Sequence, residues 1–328
     1  MIRFAAKRMC YYALLVFLAT SAAYVLASLA MNPRASFEGR NPPPPQASIE
    51  RTLTTLGVND AEPLYARYLA WLGKALTGDF GQTITNLSVN AQFADRIGSS
   101  VRLLVIGSLL GALFGILLGV WNALRQYRPS DRITSALSFL VMSIPVFILA
   151  VLLKMGATWL NQTAGVQLIN FTGASTPGLE GGFWVTLGDA LNHMLLPTIA
   201  IVLGGAAAYS RYQRATMLDT LGADYLRTAR AKGLPRGRAT FRHALRMAVI
   251  PMTTLFSYGM VGVVTGATMT EQIYGWNGLG KWFIDSVNAQ DINSVTAFCA
   301  FAAVVVLVSG LLADVLHAAL DPRVRAAS

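Results

Sequence analysis

Charge is what this sequence has least of. Asp, Glu, Lys and Arg make up only 13% of its 328 residues, against about 25% in a soluble domain. So little charge cannot cover a water-facing surface, which excludes a soluble globular enzyme of this length. Acidic residues are the scarcer half, 16 against 26 basic ones, and the net charge is +10. Cysteine is almost missing. Cys10 and Cys299 are distant and lie in apolar stretches, which excludes a disulfide framework or zinc spacing and makes them small core hydrophobes. His193, His243 and His317 are too scattered for a metal cluster, and no H-E-x-x-H occurs. No nucleotide-binding core is visible either. Gly275-Trp-Asn-Gly-Leu-Gly-Lys281 satisfies G-x-x-x-x-G-K, but Trp282 follows where a phosphate loop needs Ser or Thr, and no strand precedes it. No nucleophile, base or metal set is clustered, so no catalytic residue is assigned and no cofactor is expected on this chain.

Long apolar runs are what the sequence has instead. A bilayer core needs about 20 apolar residues per helix, and six stretches qualify: 9–31, 99–121, 134–160, 191–213, 250–270 and 295–317. Only helices satisfy their own backbone in lipid, so an all-α integral membrane protein with six transmembrane helices is expected. The first run follows Arg3, Lys7 and Arg8 as a signal peptide would. It is longer than a signal's apolar core, however, and ends at Asn32-Pro33 rather than at small residues, so a retained helix is expected.

Basic residues orient the spans. With the N-terminus inside, seventeen of the 26 Lys and Arg fall on cytoplasmic segments and seven on outer loops. This bias puts both termini in the cytoplasm and accounts for the positive charge without nucleic acid. The first outer loop, 32–98, carries a stiff proline run, Pro42–Pro45, and an apolar helical period over Leu64, Tyr65, Tyr68, Leu69, Leu72 and Leu76 that predicts a short helix ending near Gly78. The outer loop 161–190 is read as irregular. The outer loop 271–294 carries Trp276 and Trp282, suited to the membrane interface.

Three residues inside spans draw attention. Pro145 and Pro197 kink spans three and four, either shaping a pathway or simply curving the helices. Lys154, in the outer part of span three, either lines the pathway or snorkels to the interface.

The segment between spans four and five, 218–248, is the most informative. Residues 223–232 favour helix, Gly233 is placed as a left-handed helix end, and Pro235 suits the first turn of a second helix. Arg238, Arg242 and Arg246 share one face of that helix, and Phe241, Leu245 and Val249 another. The product is a helix–turn–helix of small and basic residues. It either docks a soluble partner or touches anionic headgroups.

Asp224-Tyr-Leu-Arg-Thr-Ala-Arg-Ala-Lys-Gly-Leu234, with Arg242-His-Ala-Leu-Arg246 and Ile250-Pro251, resembles the EAA loop of binding-protein-dependent ABC importers. The nearest pattern is the B-type permease subunit of the oligopeptide/dipeptide/nickel family. Tyr68-Leu-Ala-Trp-Leu-Gly-Lys-Ala-Leu-Thr-Gly-Asp-Phe-Gly81, Ser143-Ile-Pro-Val-Phe147, His193-Met-Leu-Leu-Pro197, Tyr274-Gly-Trp-Asn-Gly-Leu-Gly280 and Leu320-Asp-Pro-Arg323 resemble further segments of that family in order. The resemblance covers about 65–325. It departs at Arg227, where the loop has Glu, and at Leu245-Arg246, where it has Leu-Pro.

The resemblance implies a type I ABC importer-like permease fold in the inner membrane, with 1–98 as first helix plus outer region, 99–318 as core and 319–328 as cytoplasmic tail. It implies a coupling helix in which Asp224, Tyr225, Arg227, Thr228, Ala229, Arg230, Ala231, Lys232, Gly233 and Leu234 meet the ATPase. Its implied partners are a second homologous permease, two ATPase subunits that carry ATP and Mg, and an extracytoplasmic binding protein. Peptides are its implied cargo, with nickel and glutathione as the family's other cargoes. An ion-coupled secondary transporter would instead need paired repeats and acidic residues at span centres, and neither is seen.

Overall fold

The computed structural model describes residues 2–38, 41–42 and 44–320. The last resemblance motif beyond Leu320, and the tail that follows, lie outside the described residues. In chain order the helices are α1 (Ile2–Ala30), α2 (Ala35–Glu38), α3 (Gln46–Leu56), α4 (Leu64–Leu76), α5 (Val89–Leu124), α6 (Pro129–Ser143), α7 (Val146–Ala164), α8 (Phe183–Leu221), α9 (Asp224–Ala231), α10 (Arg236–Ala239), α11 (Leu245–Tyr274), α12 (Leu279–Asn288) and α13 (Ile292–Leu320). A π-helical turn, Thr240–Ala244, joins α10 to α11. Among the described residues every regular element is helical, and β pairing is confined to an isolated bridge, Gln82 with Ser88.

Among the described residues, five helical stretches are long and apolar enough to cross a membrane: Met9–Ala30, Val89–Leu124, Val146–Ala164, Phe183–Leu221 and Ile292–Leu312. The chain is therefore a multi-pass membrane protein. The expected fifth span lies within α11, a 30-residue helix that is not one of these five. The 39 residues of α8 make it about 58 Å long, nearly twice a hydrocarbon core of about 30 Å.

The expected third span is not one helix. It breaks into α6 and α7 at Ile144 and Pro145, which are both extended, with ψ of 122° and 140°. Proline clashes with an α conformation at the residue before it and cannot donate a helical hydrogen bond. Pro197, by contrast, is buried inside an unbroken α8.

The chain divides into two compact units, 1–101 with 277–307, and 102–276 with 308–328. In the first unit the expected outer loop is mostly folded. Tyr24 of α1, Phe37 of α2, Ile49, Leu53 and Leu56 of α3, Trp71 of α4 and Ile292 and Val295 of α13 form one buried cluster. Tyr24 stacks on Trp71 at 4.5 Å. Polar contacts complete it: Asn293 Nδ2 donates to the carbonyls of Leu56 (3.1 Å) and Gln82 (2.9 Å), and Ser36 Oγ to that of Ala289 (2.6 Å). The α4 helix is present where the period predicts one, but its buried residues are Arg67 and Trp71, and Tyr65, Leu69 and Leu76 of the expected apolar set are exposed. Trp282, expected at the interface, is 8% exposed within α12, inside the protein.

In the second unit α5 and α8 approach through a stripe of glycines. Gly107, Gly111, Gly115 and Gly119 recur every four residues against Ile201, Gly205, Tyr209 and Ser210. A Cβ on Gly119 would lie 2.6 Å from the Ser210 carbonyl oxygen. Such close backbone approach is how helices associate in lipid, where apolar burial offers no driving force. Trp276 is completely buried, with the Arg102 guanidinium 5.9 Å from its ring. Neither expected interfacial tryptophan is therefore available to the lipid boundary.

Candidate functional site

The helix–turn–helix expected at 218–248 is present as α9, a turn, and α10 running through the π turn into α11. The α9 helix is eight residues long and opens with Asp224 in its first turn, where a carboxylate suits the positive end of the helix dipole. It ends in a complete Schellman arrangement. The Gly233 N–H donates to Arg230 O (3.0 Å) and the Leu234 N–H to Ala229 O (3.3 Å). Gly233 sits at φ +90°, where a side chain would be strained. Pro235 follows in extended conformation and leads into α10.

A small apolar cluster holds this element. Leu226 of α9 packs with Val120 and Ala123 of α5, Met217 of α8, Ala239 of α10, Ala244 of the π turn and Ala248 near the start of α11. Leu234 packs beside them. Thr216 Oγ1 donates to the Ala248 carbonyl at 3.1 Å, tying α8 to α11. The alanines let α9 lie close, so that a displacement of α9 meets the ends of three long helices at once.

The π turn overturns the expected faces of the second helix. Five residues in place of four separate the buried Ala239 and Ala244, and four separate Ala244 and Ala248. Phe241, expected on the apolar face with Leu245 and Val249, is turned out and 61% exposed. π turns of this kind often occur at functional sites.

Tyr225, Arg227, Thr228, Arg230, Ala231, Lys232 and Gly233 are exposed, as are Arg236, Arg238 and Arg242. Leu226 is the anchor among them. The surface is therefore basic and carries two outward aromatic rings. Asp224 lies 3.5 Å from Arg227, but both are highly exposed, and such a pair contributes little.

The other expected residues lie apart from this element. Lys154 of α7 is half-buried, and its ammonium donates to the Ile273 carbonyl at 2.7 Å. It satisfies an unpaired carbonyl at the C-terminus of α11, where a cation also suits the dipole. This is a third role, distinct from the two that the sequence left open. Tyr274 Oη donates to the Ala150 carbonyl at 2.9 Å, so α7 and α11 are joined twice.

One arrangement had no sequence signal. Asp131, at the start of α6, is buried and accepts two hydrogen bonds from Arg214 of α8, at 2.7 and 2.8 Å, and one from the Tyr127 N–H at 2.9 Å. The guanidinium holds the Asp131 carboxyl below the usual carboxylate range. Asp131 and Arg214 are 83 residues apart, and nothing local announces their pairing.

Comparison with known proteins follows the same outline. The model of the family described as binding-protein-dependent transport system inner membrane component matches residues 111–326. The chain is 49% identical over 325 residues to the oligopeptide transport system permease protein of Mycobacterium tuberculosis (strain ATCC 25618 / H37Rv), covering 99% of both chains. It is 34% identical over 285 residues to an oligopeptide transport system permease protein of Bacillus subtilis (strain 168), covering 85% of both. Among solved structures, an amino acid ABC transporter crystallised with histidines superposes with a TM-score of 0.51 at 13% identity, over 70% of this chain and 94% of that one. At that identity the likeness is one of fold.

Proposed function

We propose a function for a chain that belongs to the binding-protein-dependent transport system inner membrane components: it is the permease subunit of an ATP-driven importer, and peptides are its cargo. The observation that carries this reading is the exposed 224–242 element, anchored by Leu226 on α5, α8 and α11. The names of relatives that match 99% and 85% of the chain support peptide cargo.

The proposed architecture has six spans, with α11 as the fifth, and both termini in the cytoplasm. Charge bias supports that orientation. In it, α9 and α10 face the cytoplasm, and the folded 32–98 region with α12 faces outward toward a binding protein. A second homologous permease completes the pathway. Two ATPase subunits bind ATP and Mg and receive α9. Their closure drives α9 against the cluster of Val120, Met217, Ala244 and Ala248, and the long helices rock together between inward- and outward-open states. This chain supplies no hydrolytic group of its own.

The test is purification of the tagged chain from membranes in mild detergent, with stoichiometric partners identified by mass spectrometry. The expected result is recovery of a second permease and ATPase subunits, together with ATP-dependent peptide uptake that Ala231→Trp abolishes. A chain recovered alone and moving solute on an ion gradient would overturn the proposal.

A further inference from the structure

We infer that the groove between α6 and α8 seats the phosphate of a membrane phospholipid, with Arg211 as its cation. The inference needs only a membrane boundary at this point. It is independent of the cargo and of which side is cytoplasmic.

The groove encloses about 500 Å³ and is lined by Ser135, Phe139, Ala208, Arg211, Tyr212 and Arg214. That volume lies within the ~300–1,000 Å³ of ordinary ligand clefts. Its charge is simple. Arg214 is spent on Asp131 through two short hydrogen bonds, so this pair adds no net charge. Arg211 pairs with no carboxylate among the described residues. Its guanidinium lies 4.0 Å over the Phe139 ring and meets Met142 Sδ at 3.3 Å. Ring stacking fixes the plane of the fork without neutralising it. The groove thus holds one oriented, uncompensated cation, and Ser135 and Tyr212 also line it.

Position identifies the anion. Arg211 closes the apolar run of α8, which contains no charged residue from Met194 to Ser210. It therefore lies where a hydrocarbon layer meets headgroups. Phe139 and Met142 are exposed beside it and suit an acyl chain. Basic pockets between helices at this depth are suited to phosphate headgroups, and a guanidinium fork matches a phosphate. The Asp131–Arg214 bridge ties α6 to α8, so the groove exists before the lipid arrives.

The test uses the chain purified with its partner subunits and freed of native lipid. It is titrated with phosphatidylglycerol, phosphatidylcholine and inorganic phosphate, and bound species are counted by native mass spectrometry. Arg211→Gln is expected to weaken retention of the phospholipids about tenfold, the loss of one charge-assisted contact. Arg211→Lys should fall between, and Arg132→Gln, which removes an exposed cation of α6 outside the groove lining, should change nothing. Equal losses in Arg211→Gln and Arg132→Gln would mean diffuse attraction and would overturn the site. So would unchanged lipid binding in Arg211→Gln. Displacement of the lipid by inorganic phosphate would assign the groove to free anions and overturn the lipid reading. Phe139→Leu keeps the charge and removes the stacking plane; full retention in this variant would also count against the geometry.

Discussion

At its C-terminal end α11 is held by a large buried ring and two hydrogen bonds, Tyr274 to Ala150 and Lys154 to Ile273. Leading into its N-terminal end the buried apolar positions are Ala239, Ala244 and Ala248, and Arg238, Arg242 and Arg246 are exposed. The first end is built as a lock on α7. The second is built for closeness, because alanines let α9 and the ends of α5 and α8 approach. A large side chain at a joint fills space and fixes one arrangement. Small ones transmit a push without adding rotamers that could absorb it.

Replacing Tyr274 should separate the two ends most clearly. Tyr274→Ala is expected to cost about 4 kcal/mol of stability, the usual loss for a fully buried aromatic. Tyr274→Phe should cost about 1 kcal/mol, the value of its hydrogen bond. Resistance of the detergent-solubilised protein to thermal unfolding reads both. If the two variants lose equally, the ring is not the lock.

At the other end Leu226→Ala is expected to cost about 2–3 kcal/mol, and its larger consequence is mechanical. The α9 helix loses its anchor, so ATP hydrolysis by the assembled complex should continue while peptide uptake falls. Uptake that falls only in step with hydrolysis would show that Leu226 carries no coupling. Ala244→Leu overfills the same cluster and should cost about 1–3 kcal/mol. Protease cleavage within 223–235 should then become faster.

Smaller effects sharpen the contrast. Lys154→Met should cost about 1 kcal/mol and leave peptide selectivity unchanged in competition uptake assays; altered selectivity would return Lys154 to the pathway. Arg227→Ala with Arg230→Ala should change stability by no more than about 0.5 kcal/mol, since both are exposed. Less ATPase should nevertheless copurify with that variant. Normal copurification would remove these two residues from the proposed docking surface.

The two ends of α11 also differ in how legible they were. The helix–turn–helix could be located from its residues, because Gly233, Pro235 and the helix formers before them act locally. The outward turn of Phe241 could not be anticipated. It follows from a π turn that the packing of Ala239 and Ala244 selects, and a steady helical period gives no sign of it. Lys154 was noticed because a charge in a span is costly, but its partner is a carbonyl 119 residues away. The outer region misled in a similar way. α3 is short and polar apart from Ile49, Leu53 and Leu56, and its burial depends on Tyr24 and Ile292 from opposite ends of the chain. Trp276 and Trp282 carry the composition of a membrane interface, yet each is covered by protein.

Composition and local order alone determined that this chain lives in lipid, that its long elements are helices, and where the basic helix–turn–helix begins and ends. Apolar run length, backbone satisfaction and the special conformations of glycine and proline are properties of short segments. Tertiary structure alone decided that Asp131 belongs to Arg214, that four glycines of α5 meet α8, that Pro145 divides a span while Pro197 does not, and that the knob rests on Leu226. Each of these depends on which distant backbone comes within a few ångströms, and that is settled by packing among whole helices rather than by the preferences of any one of them.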